Sequence, residues 1–269
     1  MSGSPLGGAW GLGNWSRRLG YALLLGGQTC VHLLQGRINW RNTLEQMADV
    51  GPQSLLITFV SAFFVGAVFT IQAAREFLNF GADAVVGGVL ALSLLRELAP
   101  VLAAVLLAGR IGSAFAAEIG TMRVTEQIDA LYMLKTDPVD YLVLPRVLAC
   151  CVMTPILTLI FFLVGMLGGL LVATEVYRIS AYVFLTSVQN FLGPWDIISA
   201  VIKAIVFGAL IAVIGSSWGL STSGGAKGVG TSTTAAVVTA LLAVFISNFF
   251  LSGLMFQGLG SAISQGVGQ

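Results

Sequence analysis

The chain has 269 residues, 57% of them hydrophobic and 9% charged, with a mean hydropathy of +0.92 and a formal net charge of +1. A soluble domain carries about a quarter charged residues, so a water-soluble fold is excluded, and the near-neutral charge offers nucleic acid no basic surface. Runs of alternating polarity that would build a membrane β-barrel are also absent, which leaves an all-α integral membrane protein.

The opening MSGSPLGGAWGLGNWSRR lacks the order of charge, apolar core and cleavage site that marks a signal peptide. Residues 14–38, NWSRRLGYALLLGGQTCVHLLQGRI, are apolar but interrupted by Arg17, Arg18, His32 and Arg37. A helix lying in the membrane interface fits them better than a span. This N-terminal segment, residues 1–45, precedes a membrane domain at 46–269. A bilayer is crossed by about 20 apolar residues as helix, and five such spans are predicted, near 53–74, 85–117, 147–173, 197–220 and 234–258. The cysteines Cys30, Cys150 and Cys151 form no CxxC pair and His32 is the only histidine, so no metal site is expected. The cysteines read as small buried hydrophobes.

Counting Lys and Arg near the span ends sets the orientation. Arg17, Arg18, Arg37, Arg41, Arg123, Lys135, Arg146 and Lys227 fall on one side, and only Arg75 and Arg178 on the other. The N-terminus and the 118–146 connection are therefore expected in the cytoplasm.

The second predicted span is unusual. Its 33 residues would reach about 50 Å as a helix, more than the roughly 30 Å hydrocarbon core, so it must tilt, kink or project. Pro100 is a natural kink site because it lacks a backbone donor. Ala104, Ala108, Gly112, Ala116 and Gly120 recur every four residues. Such a stripe lets another helix approach closely; Gly165 and Gly169 form a weaker pair of the same kind. Arg96, Glu97 and Arg110 lie in the same span, where ionisable groups usually face protein or a wet cavity. Arg110 can snorkel to the interface. Arg96 and Glu97 diverge by about 100° on a helix, so pairing with each other cannot hide both.

After Gly120, TMRVTEQIDALYML is patterned as a short amphipathic helix. Val124, Ile128, Leu131 and Lys135 make one stripe, and Arg123 has Glu126 three residues on as a possible partner. Asp137, Pro138 and Asp140 are spaced to cap a following helix. A cytoplasmic helix with one greasy and one charged face is shaped to dock on a soluble partner. GGAKGVGTST has a lysine among glycines but not the GxxxxGK[ST] spacing of a phosphate loop. It reads as a flexible turn between spans, and the lone His32 supports no Ser-His-Asp chemistry.

RELAPVLAAVLLAGRIGSAFAAEIGTMRVTEQIDAL (96–131), TDPVDYLVLPRVLA (136–149) and GGAKGVGTSTTAAVV (224–238) resemble the MlaE (YrbE) permease family, the membrane subunits of MCE-type ABC lipid transporters. The likeness runs from about residue 40 to 260, and TDPVDYL is closest to the cyanobacterial and plastid-envelope branch. The resemblance implies an interfacial helix followed by five spans, and a homodimer. A cytoplasmic ABC ATPase, which would use ATP and Mg, is expected to bind a coupling helix at 118–134, with Glu118, Gly120, Met122, Arg123, Glu126 and Gln127 as contacts. It implies an outer MCE-protein ring and a phospholipid cavity at the dimer interface, near Arg96, Glu97 and Pro100, with packing along Ala104, Ala108, Gly112 and Ala116. The chain itself would be no enzyme and bind no cofactor. The absence of a long transit peptide favours a bacterial inner membrane over the plastid inner envelope. Asn248 stands where many family members are expected to be acidic, which puts a charge at that point in doubt. Two further readings stand beside this one: a self-sufficient secondary transporter using Arg96 and Glu97, and a non-transporting membrane scaffold.

Overall fold

The computed structural model describes residues 12–34 and 39–256, and contains no strand among them. The helices are α1 (Leu12–Leu34), α2 (Trp40–Val50), α3 (Pro52–Asn79), α4 (Val86–Ser93), α5 (Ala99–Leu107), α6 (Ser113–Val124), α7 (Gln127–Met133), α8 (Leu144–Glu175), α9 (Ala181–Phe191), α10 (Pro194–Leu220) and α11 (Gly225–Phe256). Wide π turns at Leu94–Leu98 and Ala108–Gly112 join α4, α5 and α6 into one run, and another at Val139–Val143 leads into α8. Five runs are long and apolar enough to cross a membrane: Trp40–Asn79, Asp83–Val124, Val139–Glu175, Pro194–Leu220 and Gly225–Phe256. The chain is therefore a multi-pass helical membrane protein. The N-terminal α1 is not among the five.

The observed helices outrun the predicted spans at most ends, because polar first and last turns keep their hydrogen bonds beyond the apolar stretch. Two differences go further. The helix α9, between the third and fourth spans, has no counterpart in the sequence reading. The predicted helix at 14–38 begins at Leu12 and is described to Leu34; its last four residues, Arg37 among them, lie outside the described residues, as do residues 257–258 of the fifth predicted span.

The described residues divide into two compact units, one drawing on 12–34, 39–50, 107–152 and 208–245, the other on 51–106, 153–207 and 246–256. In the second unit, Leu90, Leu94, Phe161 and Phe184 are buried in a core shared by α3, α4, α8 and α9. Here α3 and α8 meet through glycine: a methyl on Gly66 would overlap the Gly165 carbonyl, and one on Gly168 the Phe63 carbonyl. Helix α9 lies equally close to α4, where the Gly88 N–H donates to Ser187 Oγ at 3.0 Å.

In the first unit, Gly112, Ala116 and Gly120 of the small-residue stripe face α10, touching Ile211, Gly219 and Thr222. All five stripe residues are buried. A four-residue spacing drifts by about 40° per step around an α-helix of 3.6 residues per turn. The wide turn at Ala108–Gly112 holds more residues per turn and reverses that drift, which keeps the stripe on one face. At the N-terminal end, Trp15 Nε1 donates to Thr239 Oγ1 at 3.3 Å, and His32 pairs with Asp140.

Candidate functional site

Pro100 organises the polar centre of the second unit. A proline offers no N–H to the carbonyl four residues back and its ring presses on that carbonyl. Here the carbonyl is that of Arg96, and the turn before the proline widens into the π segment Leu94–Leu98, with the Ala99 N–H bonded to the Leu94 carbonyl. The Arg96 carbonyl is taken up from outside the helix by Lys203 Nζ, at 2.7 Å.

Lys203, on α10, is wholly enclosed, with 0% of its side chain exposed. Its ammonium has three protons and three acceptors: the Arg96 carbonyl, Glu97 Oε1 at 2.9 Å and Ser252 Oγ at 2.7 Å. The Glu97 carboxylate is satisfied on both oxygens, since Ser252 Oγ donates to Oε1 and Asn248 Nδ2 to Oε2, each at 2.8 Å. Arg96 turns the other way. Its Nε donates to Asp196 Oδ1 at 2.7 Å, while Asp196 Oδ2 accepts the Gly193 N–H at 2.8 Å. The ring of Phe256 lies under both cations, 4.7 Å from Arg96 Cζ and 5.6 Å from Lys203 Nζ. Two cations and two anions thus cancel in a membrane-spanning region, the arrangement that makes buried charge tolerable there. The divergence expected of Arg96 and Glu97 is met by a separate partner for each. Both partners are on α10, seven residues apart and so on one helical face.

The network is open on one side, with Arg96 39% and Glu97 43% exposed at the side chain. Among the described residues the Arg96 Nη groups make no hydrogen bond. Elsewhere in the second unit a groove of about 430 Å³ is lined by Phe64, Val65, Val68, Phe69, Gln72 and Leu98.

The segment 118–134 in the first unit is two helices rather than the single one expected. Helix α6 runs to Val124, Glu126 adopts a left-handed φ of 61°, and α7 starts again at Gln127. Arg123 donates across this break to Asp129 Oδ1 at 2.7 Å, so its partner is not Glu126. Ile128 is buried with Ile119 and Leu142, flanked by Met122, Leu131 and Leu220. Gly120 is buried against Thr222, and Glu118 is engaged by Arg146. What α7 and its exit present outward is Tyr132, Met133 and Leu134, with Glu126, Gln127, Asp129 and Lys135 also exposed. Asp137 Oδ1 accepts the Val139 N–H at 2.9 Å, as a cap should, whereas Asp140 faces His32 instead of completing a capping box. The lone histidine thereby joins two carboxylates, with ligand atoms of His32, Asp137 and Asp140 within 4.8 Å of one another. The hydrogen bond between His32 and Asp140 accounts for that grouping as well as a cation does.

The sequence model of the family Permease MlaE matches residues 43–254. The chain belongs to this family. A probable ABC transporter permease protein of Synechocystis sp. is 65% identical over 246 residues, covering 91% of this chain and 94% of that one. The chloroplastic Protein TRIGALACTOSYLDIACYLGLYCEROL 1 of Arabidopsis thaliana is 51% identical over 91% of this chain and 70% of its own length. A probable ABC transporter permease protein of Porphyra purpurea is 48% identical over 95% of this chain and 97% of that one. This MlaE-family chain is thus the permease component of an ABC transporter, in the cyanobacterial and plastid-like branch.

Two members of the polar centre, Asp196 and Lys203, escaped the sequence reading. Lys203 interrupts the apolar run IISAVIKAIVFGAL, and an ionisable residue inside a span signals a site on its own. Asn248 keeps a place in this MlaE-family network without charge, as an amide donor to Glu97.

Proposed function

We propose that this permease moves a phospholipid or similar amphiphile as one half of a homodimer, driven by a cytoplasmic ABC ATPase docked on α7 and continued outside by an MCE-protein ring. ATP and Mg belong to the ATPase, and this chain supplies the path. The N-terminus and α7 are on the cytoplasmic side of a bacterial inner membrane, or of the plastid inner envelope.

The observation that carries the reading is the half-exposed Arg96 guanidinium on the open side of an otherwise compensated charge network in a membrane-spanning region. Lys203 has no donor left for a ligand, whereas the Arg96 Nη groups do. A phosphate reaching that open side would be held by Arg96. The Glu97–Lys203 pair braces the helix beneath. A charge-assisted hydrogen bond lost from such a contact reduces binding by about tenfold to a hundredfold.

The test is transfer of a fluorescent phospholipid between vesicles by the reconstituted permease, ATPase and MCE protein. Arg96→Gln is expected to lower ATP-driven transfer by about tenfold or more while ATPase binding is kept. Normal transfer by Arg96→Gln overturns the assignment of the site. Transfer by the permease alone under an ion gradient overturns the ATP-driven reading in favour of a secondary transporter.

A further inference from the structure

The stretch from Glu118 to Arg146 leaves the membrane domain and returns to it, and a single charge pair joins its two ends. Arg146 Nη2 lies 2.7 Å from Glu118 Oε2, 28 residues away in the sequence. The Arg146 side chain is enclosed, 7% exposed, while that of Glu118 is 58% exposed. The other hydrogen bond and ring contact of Arg146 are local and uncharged, and Asp49 adds an attraction without a hydrogen bond to it. Its Nη1 donates to the Leu142 carbonyl at 3.3 Å, and its guanidinium carbon lies 5.2 Å from the centre of the Phe115 ring. Its Nε has no hydrogen-bond partner among the described residues. Glu118 is therefore the one hydrogen-bonded carboxylate that compensates an enclosed cation, and separating the two leaves that cation without its direct partner.

Between these ends hangs a short, weakly stiffened helix. Helix α7 has seven residues, too few for a helix to hold itself rigid. Two of the three described non-glycine residues with left-handed φ, Glu126 at 61° and Lys135 at 56°, flank it, and such positions cost energy and act as joints. What fastens α7 is Ile128, seated on Ile119 and Leu142, which adjoin the charge pair in sequence.

We infer that Glu118 and Arg146 form a clasp at the base of the coupling loop. They are positioning residues: without touching the ATPase, they make a displacement of α7 move the attached spans instead of deforming the loop. The inference rests on the proposed docking of an ATPase at α7, and it gives Glu118 an internal role in place of the contact expected from sequence.

The test uses Glu118→Gln, the charge reversals Glu118→Arg and Arg146→Glu, and the doubly reversed chain. Hydrogen exchange of residues 119–145 is measured on the full chain in nanodiscs. Lipid moved per ATP hydrolysed is measured separately on the reconstituted complex. Glu118→Gln and both single reversals should speed exchange across 121–138 by about tenfold, and the double reversal should return it to within about threefold of the parent. In the complex, the single reversals keep ATP hydrolysis but lose about tenfold in lipid per ATP, and the double reversal recovers it. Unchanged exchange in Glu118→Gln overturns the clasp, and so does a double reversal no better than the worse single one. Glu118→Gln retains shape and volume, so it reads the clasp even where a reversal fails to fold. Exchange that follows the clasp in a system whose parent complex moves no lipid refutes the proposed function and leaves the clasp in place.

Discussion

Replacing Glu97 with glutamine is expected to destabilise the permease by about 3–5 kcal/mol, and adding Lys203→Met to the same chain to restore most of the loss. The asymmetry between the partners drives this result. Lys203 is fully enclosed, while Glu97 is 43% exposed at its side chain. Neutralising Glu97 leaves an enclosed ammonium with neutral acceptors only, the introduced amide oxygen, the Ser252 hydroxyl and the Arg96 carbonyl. Removing Lys203 instead leaves a carboxylate that still accepts from Asn248 and Ser252 and can turn towards its open side. Lys203→Met alone should therefore cost less, about 1–2 kcal/mol for the lost hydrogen bonds. Denaturant unfolding of the four chains in mixed micelles gives the cycle directly. A Glu97→Gln chain as stable as Lys203→Met would show that the ammonium is not enclosed as described.

Met133→Asp is expected to weaken binding of the cytoplasmic ATPase by about a hundredfold while leaving the permease folded. Met133 is 87% exposed and its neighbours Tyr132 and Leu134 are 61% and 73% exposed. Consecutive large apolar side chains on a water-facing turn are costly unless something covers them. Because Met133 touches little of its own chain, the substitution costs the fold almost nothing. Ile128→Asp is the contrasting case: Ile128 is 2% exposed within the cluster that fastens α7, and a carboxylate there should loosen the segment itself. Titration of the ATPase subunit against permease in nanodiscs, with circular dichroism as the folding control, separates the two. Undiminished affinity in Met133→Asp would place the ATPase elsewhere.

The five spans were legible because each is an apolar run that water cannot accommodate, a signal that survives without knowledge of tertiary contacts. The stripe from Ala104 to Gly120 was visible for a similar reason, since small residues in register have few other uses in a membrane helix. Features that depend on local backbone choice were not visible. The break at Glu126 sits on a residue with no intrinsic preference for a positive φ, inside a pattern that reads as one continuous amphipathic helix. Helix α9 is short and moderately polar at its ends, and it is fixed by the close approach to Gly87 and Gly88, which only the folded chain reveals. At the polar centre, half the members were found. Arg96 and Glu97 stood out as a pair beside Pro100, while Lys203 and Asp196 were not singled out. What draws Lys203 in, the Arg96 carbonyl four residues before a proline, is a consequence of the sequence that becomes informative once α10 is placed beside it.

The left-handed bend at Lys135 also marks the chain for proteolysis. The residue is basic, exposed and lies where helical bonding stops, the kind of site at which a folded protein is nicked first. Trypsin should cut the free permease after Lys135 and after the similarly bent and exposed Arg178, and a bound ATPase should shield the first alone. In sealed vesicles of known sidedness, the same cut made from one face only would reveal which compartment the loop inhabits.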